Sequence, residues 1–116
     1  MVLIMKRIRF YVGTQLDMNN QAIPATEAGF ALEAFGGKLC KWAGGYSMSK
    51  VAGKWVNEEG IVMAEESAVF EVLRETDSHE DYGLEQEVLK LARTLKHLLD
   101  QQAVLYTIEV VQGGMV

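Results

Sequence analysis

The chain has 116 residues, of which 49% are hydrophobic and 23% are charged, and these proportions are typical of one globular domain spanning 1–116. The net charge of −5 and the pI near 5.0 argue against a protein that binds nucleic acid or an acidic membrane surface. The single cysteine, Cys40, cannot form an internal disulfide, and we find no secretion signal. We therefore expect a cytoplasmic protein.

The first third of the chain predicts a strand, a loop and a short helix. Met1–Met5 is apolar but far shorter than a membrane-spanning segment, so we interpret it as a lead-in to a strand or as part of an interface. Lys6–Gly13 alternates apolar and polar side chains, which predicts a half-buried strand. Thr14–Pro24 is polar, carries the only proline and predicts a loop. A helix is expected to begin at Ala25 and to end at Gly36-Gly37.

The middle of the chain predicts a long β-hairpin. Leu39–Val56 has the character of an extended segment interrupted by glycines, and Ile61–Leu73 is its expected partner across a polar turn. Along the second strand, the even-numbered residues are apolar except Glu66, whereas Glu65 lies on the mixed opposite row. A carboxylate on an otherwise apolar row needs a charged partner, a cavity to line or a route to solvent.

The last third predicts a charged loop over Arg74–Gly83, an amphipathic helix over Leu84–Gln102 and a strand over Ala103–Val111. The resulting β-α-β-β-α-β order predicts a ferredoxin-like α+β fold, with an antiparallel four-stranded sheet and two helices on one face. The second face of this sheet also carries apolar residues, so we expect another copy of the chain to cover it. These residues are Ile61, Met63, Val69, Leu105 and Val111.

Several kinds of site find no support in the sequence. His79 and His97 have no metal-ligand spacing to each other or to Cys40, so no metal site is expected. The glycines form no dinucleotide-binding or phosphate-binding pattern, and no nucleophile lies in a recognisable elbow. Cys40 is interpreted as a small buried hydrophobic residue.

The remaining candidates are Glu65, Glu66, Trp55 and the glycine-interrupted segment Gly44–Gly53. On a purely structural interpretation, Trp55 packs across the strands, Glu65 is solvated and Glu66 pairs with a lysine or arginine. On a functional interpretation, the same residues line a binding site. Three tyrosines fit a pocket, a sheet core or an interface equally well, namely Tyr11, Tyr46 and Tyr106.

These motifs resemble those of the phage-encoded S-adenosylmethionine (SAM) lyases, in which a Gly-x-Tyr element precedes a Glu-Glu pair and a helix leads into a Val-Leu-rich last strand. The matching stretches are Gly53-Lys54-Trp55, Ala64–Val69, the helix Leu84–Gln102 and Ala103–Tyr106. Trp55 stands where the lyase pattern has tyrosine. A second resemblance is to an uncharacterised bacterial domain family that carries Gly-x-Trp followed by Glu-x-Ser.

The first resemblance implies a ferredoxin-like subunit of a trimer, with SAM bound between subunits and cleaved without a cofactor to methylthioadenosine and homoserine lactone. It implies that Glu66 is the catalytic residue and that the substrate is bound by Glu65, Trp55, Gly53 and Tyr46. Two alternatives stay open: a non-enzymatic small-molecule-binding or regulatory module of the same fold, and an interaction domain without a ligand.

Overall fold

The computed structural model describes residues 2–75 and 83–116 and has the predicted order of elements. Its strands are β1 (Leu3–Gly13), β2 (Ser47–Val56), β3 (Val62–Glu75) and β4 (Leu105–Gly113), and its helices are α1 (Ala25–Ala43) and α2 (Leu84–Leu98). The strands form an antiparallel sheet in the order β2-β3-β1-β4, and the two helices pack on one face. The ferredoxin-like prediction is therefore confirmed.

The core lies between this face and the helices, as the alternation in the strands predicts. Phe10 of β1 and Phe70 of β3 are directly opposite each other and fully buried. Phe35 of α1 packs edge-on against both, with ring centroids 5.3 Å and 5.0 Å away. Such aromatic pairs contribute about 0.5–1.5 kcal/mol each beyond the burial of their area. They fix α1 above the centre of the sheet.

Helix α1 does not end at Gly36-Gly37, so that prediction was wrong. The helix continues to Ala43 and ends at Gly44, which has a φ of +85° and donates its N–H to Cys40 O at 2.9 Å. Gly36 is buried inside the helix because the ring of Tyr46 lies against it, where a Cβ would overlap the tyrosine. This glycine makes room for a neighbour instead of ending a helix.

The longer helix corrects two further predictions. The segment from Leu39 to Ala43 is helical, so the extended region begins only at Ser47. Leu39 is fully buried, which leaves the following Cys40 on the outer side of the helix, where it is exposed. The prediction that Cys40 is buried was therefore wrong.

The other element boundaries differ from the predictions by a few residues. Strand β1 begins at Leu3, so the apolar N-terminal segment does lead into a strand. Helix α2 ends at Leu98 instead of Gln102, because Asp100 adopts a φ of +47° and turns the chain. The predicted loop over Arg74–Gly83 is contradicted at its start, where Arg74 and Glu75 belong to β3, and 76–82 lie outside the described residues.

The face of the sheet opposite the helices, called here the open face, is less apolar than predicted. At its centre, Arg7 donates two hydrogen bonds to Glu109 at 3.0 and 3.2 Å, and Arg9 donates one to Glu71 at 2.8 Å. Arg7 thereby holds the pKa of the Glu109 carboxyl below its ordinary value. Elsewhere on this face large apolar side chains are exposed, namely Val51, Trp55, Leu73 and Leu105.

No helix among the described residues combines the length and the apolar character needed to cross a membrane.

Candidate functional site

The far half of the predicted hairpin projects past the end of β1 and is called here the hairpin arm, residues 52–66. Pairing between β1 and β3 stops at Gly13 opposite Ser67, so within the described residues β2 is the strand that continues beside β3 in the arm. The turn is held by Asn57, whose side-chain oxygen accepts the N–H groups of Glu59 and Ile61 at 2.9 Å each. The arm therefore projects from the sheet as a two-stranded hairpin that closes in a hydrogen-bonded turn.

Glu66 lies at the base of the arm, and its backbone is anchored by the segment after β1. Thr14 donates its N–H and its hydroxyl to Glu66 O at 3.3 and 3.1 Å. The N–H of Glu66 is donated to the side-chain oxygen of Gln15 at 2.8 Å. These bonds replace the strand pairing that ends at Gly13, so the position of Glu66 is set by two elements.

The structure explains how the Glu66 carboxylate is accommodated on an otherwise apolar row of β3. The side chain lines a cleft beside the start of α1 instead of packing in the core, and it is 45% exposed. One carboxylate oxygen lies 3.9 Å from Nζ of Lys50, a residue on the same face of β2. Glu66 thus has both a cationic neighbour and a route to solvent, as the structural interpretation requires.

Two clefts meet at Gln15 and Glu66. The first, of about 520 Å³, is the arm cleft, and its lining adds to these two residues Lys54, Glu65 and the small residues Ala52, Gly53 and Ala64. The second, of about 460 Å³, is the helix cleft, which extends to Lys50, Thr14 and the start of α1. Both volumes lie in the range of about 300–1,000 Å³ that is usual for small-molecule sites. Glu66 is therefore the charged side chain shared by two neighbouring cavities.

Glu65 and Glu66 point to opposite faces of the arm, as their alternation predicts. Glu65 is opposite Gly53 on the row of the open face, whereas Glu66 is opposite Ala52 on the helix side. The Glu65 side chain folds over Gly13, and its Oε1 is buried without a hydrogen-bond partner among the described residues. The two carboxylates therefore do not face each other as a paired acid and base would.

Trp55 and Gly53 lie next to Glu65 on the open-face row of the arm. Trp55 is opposite Met63 and diagonal to Glu65, and it is 48% exposed. A Cβ on Gly53 would meet one atom within 4 Å, the backbone oxygen of Glu65 at 3.9 Å. Since packing does not require glycine here, the absence of a side chain leaves room in the arm cleft.

Tyr46 is not brought near the other four predicted site residues within one chain. It precedes β2 and packs on Phe70, with the ring centroids 5.6 Å apart. Six residues of extended strand, about 20 Å, separate it from the level of Glu66. Its role in ligand binding stays a prediction.

The described residues contain no group of three His, Cys, Asp or Glu side chains that would hold a metal ion. His97 is exposed in the last turn of α2, and Cys40 is exposed on α1. His79 lies outside the described residues.

Sequence reasoning missed Thr14, Gln15, Lys50 and Gln101. Lys50 could have been predicted, because strand pairing across the predicted turn puts it on the same row as Glu66. Gln15 and Gln101 carry no such signal, because their positions depend on how the loops after β1 and α2 fold against each other.

The fold of this chain is also found in solved structures. A phage SAM lyase in complex with S-methyl-5′-thioadenosine superposes with a TM-score of 0.64 over 96% of this chain and 90% of the other, at 14% identity. The chain shares the fold of the phage SAM lyases. A phage SAM lyase in the apo state gives a TM-score of 0.62 over 95% and 89% of the two chains, at 16% identity. No protein-family model and no curated protein matches the sequence.

Proposed function

We propose that the chain is a SAM lyase that converts SAM to 5′-methylthioadenosine and L-homoserine lactone. The observation that carries the proposal is the likeness over 96% of the chain to a lyase structure that holds S-methyl-5′-thioadenosine. The cleft-lining position of Glu66, predicted from the Glu-Glu motif, supports it from within this chain.

The reaction suits a site with few reactive groups. The substrate carboxylate attacks the γ-carbon of its own methionine chain, a C–O bond forms, and the C–S electron pair stays on sulfur. The carboxylate and sulfonium charges disappear together, so no proton is transferred and no cofactor is consumed. The protein has to fold the methionine chain into a ring-like conformation and exclude water, and such positioning contributes about 7–11 kcal/mol in favourable systems.

This charge balance indicates how Glu66 acts. A carboxylate held against the sulfonium would stabilise the charged substrate more than the transition state, which would slow the reaction. Contacts with the ribose hydroxyls avoid this penalty, because these groups do not change during lactone formation. We therefore assign Glu66 to holding the nucleoside half of SAM, with Trp55 packing beside it.

The proposal includes a homo-oligomer, with a trimer favoured and the substrate between subunits. The arm cleft is lined by the hairpin arm and Gln15, so a second copy is needed to close its outer side. The exposed side chains of Trp55 and Leu105 on the open face are suited to that contact. In this proposal the enzyme acts in the cytoplasm of a phage-infected host, where loss of SAM would oppose methylation and restriction.

The direct test is to incubate the purified oligomer with SAM and to quantify methylthioadenosine and homoserine lactone by liquid chromatography and mass spectrometry. Glu66→Gln keeps the size of the side chain but removes its charge, and we expect it to lower kcat/KM by at least about 100-fold, or 2.7 kcal/mol. Glu33→Gln, the same change at an exposed position on α1, is the matched control and should leave turnover unchanged.

The outcomes separate the three functional hypotheses. Lactone formation by wild type and Glu33→Gln, but not by Glu66→Gln, supports the lyase. Binding of methylthioadenosine without turnover of SAM would contradict the lyase and favour a non-enzymatic binding module. Absence of both binding and turnover, with an intact oligomer, would leave the interaction domain.

A further inference from the structure

Two acceptor oxygens meet above Gly13, the last residue of β1. The position that a Cβ would take on this glycine lies 2.5 Å from Glu65 Oε1 and 2.8 Å from Gln101 Oε1. Two side chains that are distant in sequence thus occupy the space that a side chain at residue 13 would fill. The backbone of Gly13 is ordinary extended strand, so its conformation does not require glycine. Glycine is needed here because a side chain would collide with the two oxygens.

The orientation of the Gln101 amide is fixed by its hydrogen bonds. Its Nε2 donates to Leu16 O at 2.7 Å and to Leu99 O at 2.9 Å, which uses both N–H groups. Turning the amide over would place its oxygen against two carbonyl oxygens. Because the side chain is 92% buried at the end of α2, the amide is held and its oxygen stays directed at the space over Gly13.

Glu65 lacks a donor at the same place. Its Oε1 is buried and accepts no hydrogen bond among the described residues. The Gln101 N–H groups are already used, and the lysines of the hairpin, Lys50 and Lys54, lie on the opposite face of β2. A buried carboxylate oxygen without a donor is costly, so it marks a place where a donor is expected to bind.

We propose that Glu65 Oε1 and Gln101 Oε1 form a subsite for a primary ammonium group, and that this group is the amino group at the methionine end of the substrate. An ammonium carries three N–H donors and a charge opposite to that of Glu65, which matches one carboxylate and one amide oxygen. A hydroxyl has a single donor, and a divalent metal ion needs more oxygen ligands than these two side chains supply.

The inference rests on the proposed function and extends it. Glu65 and Glu66 both line the arm cleft, one from each face of the arm, so the subsite adjoins the cleft that the nucleoside half would occupy. The ammonium keeps its charge during lactone formation, and its carbon also carries the attacking carboxylate. Holding the ammonium therefore positions the nucleophile without stabilising the charges that disappear in the transition state.

The test compares three non-reacting nucleosides by isothermal titration calorimetry on the intact protein. S-adenosylhomocysteine carries the amino-acid end on a neutral sulfur, its desamino analogue lacks only the ammonium, and methylthioadenosine lacks the whole amino-acid end. Glu65→Gln should weaken binding of S-adenosylhomocysteine by about 10- to 100-fold, the range expected for a hydrogen bond to a charged group. Glu65→Gln should change the affinities of the other two nucleosides by less than about twofold. Glu33→Gln, the control, should leave all three affinities unchanged.

Two further readouts test whether Glu65→Gln disturbs the fold and whether the ligand occupies the space over Gly13. The new amide can donate to Gln101 Oε1, so Glu65→Gln should melt at the wild-type temperature or above it. Gly13→Ala places a methyl group in the subsite and should weaken S-adenosylhomocysteine in the same selective way. If neither Glu65→Gln nor Gly13→Ala changes the binding of S-adenosylhomocysteine, the subsite is overturned.

The remaining outcomes are also decisive. Equal weakening of all three nucleosides by Glu65→Gln overturns the subsite but leaves the lyase proposal standing if SAM is still cleaved by wild type. If wild-type protein binds none of the three and does not cleave SAM, both the subsite and the lyase proposal are wrong.

Discussion

At the scale of single residues, two adjacent glycines of α1 have different physical roles. A Cβ on Gly36 would overlap the hydroxyl end of the Tyr46 ring, whereas a Cβ on Gly37 would have no neighbour within 4 Å. Gly36 therefore permits the contact between Tyr46 and Phe70, while Gly37 only weakens the helix.

The two glycines predict opposite effects of the same substitution. Gly37→Ala should stabilise the protein by about 0.5–1 kcal/mol, because alanine has the higher helix propensity. Gly36→Ala gains the same propensity but displaces the Tyr46 ring, which costs about 1–3 kcal/mol, so it should be neutral or destabilising. Urea unfolding of the two variants measures the difference. In a Tyr46→Ala background the clash is absent, and an equally harmful Gly36→Ala there would contradict this explanation.

Only those features of the candidate site that follow from the local alternation of residues could be predicted from the sequence. The alternation along the second hairpin strand correctly put Glu65 and Glu66 on opposite faces. It did not show that Glu66 lines a cleft beside the start of α1 instead of packing in the core, because that depends on how the helix is placed over the hairpin. Gln101 lay within the predicted helix Leu84–Gln102, whereas in the structure it follows the helix and donates a hydrogen bond to Leu16, a residue far away in sequence.

At the scale of elements, a polar cluster joins α1, α2 and the end of β3. Glu87 accepts the indole N–H of Trp42 at 2.6 Å and a hydrogen bond from Arg74 at 2.9 Å, and the Arg74 guanidinium lies 5.1 Å from the centre of the Trp42 ring. The hydrogen bond from Trp42 has the larger effect and that from Arg74 the smaller, and together they hold the pKa of the Glu87 carboxyl below its ordinary value of 4.5. The cluster ties the two helices to the sheet.

This cluster predicts a pH-dependent contribution to stability. The folded-state pKa of Glu87 is lowered, so its contribution is complete above the unfolded-state pKa and is lost as the pH falls through the folded-state value. Glu87→Gln should therefore lower the free energy of unfolding at pH 7, and the deficit should shrink as the pH falls below 4.5. The side chain is 49% exposed, so we expect at most about 1 kcal/mol.

Chemical denaturation of wild type and Glu87→Gln at several pH values between neutral and acid measures this contribution. Glu33→Gln serves as the control for the general effect of removing an exposed carboxylate. A deficit for Glu87→Gln that is the same at every pH would show that the charge of Glu87 is not involved.

Element types were more predictable than element ends. The 3.6-residue period of α2 and the two-residue period of the strands are local patterns, and they gave all six elements in order. The ends of α1 and α2 were wrong because each depends on a contact outside the helix, that of Gly36 with Tyr46 and that of Gln101 with Leu16. Because the apolar period is the same whether the last residues continue the helix or turn into a loop, the sequence pattern does not show where a helix ends.

At the scale of the whole molecule, the sheet has one face in the core and one face that the described residues leave uncovered. The open face combines a closed network of ion pairs, Arg7 with Glu109 and Arg9 with Glu71, with exposed apolar side chains at its margins. The ion pairs satisfy the charges within one chain, so covering this face does not require charged partners from outside. In the proposed oligomer, burial of the exposed apolar margin would supply the driving force for association.

The oligomer proposal therefore predicts that one added charge at this margin breaks the assembly without unfolding the chain. Leu105 is 61% exposed on the open face, and Leu105→Glu would bury a carboxylate in the interface, which is strongly unfavourable. Phe30→Glu is the matched control, because Phe30 is 68% exposed on α1, away from the open face. Analytical ultracentrifugation should give three times the 12.9 kDa chain mass for wild type and Phe30→Glu, and a monomer for Leu105→Glu. The monomer should also lose SAM turnover, since its arm cleft stays open on one side. A wild-type protein that is monomeric, or a Leu105→Glu variant that remains assembled, would show that the open face is not the contact between copies.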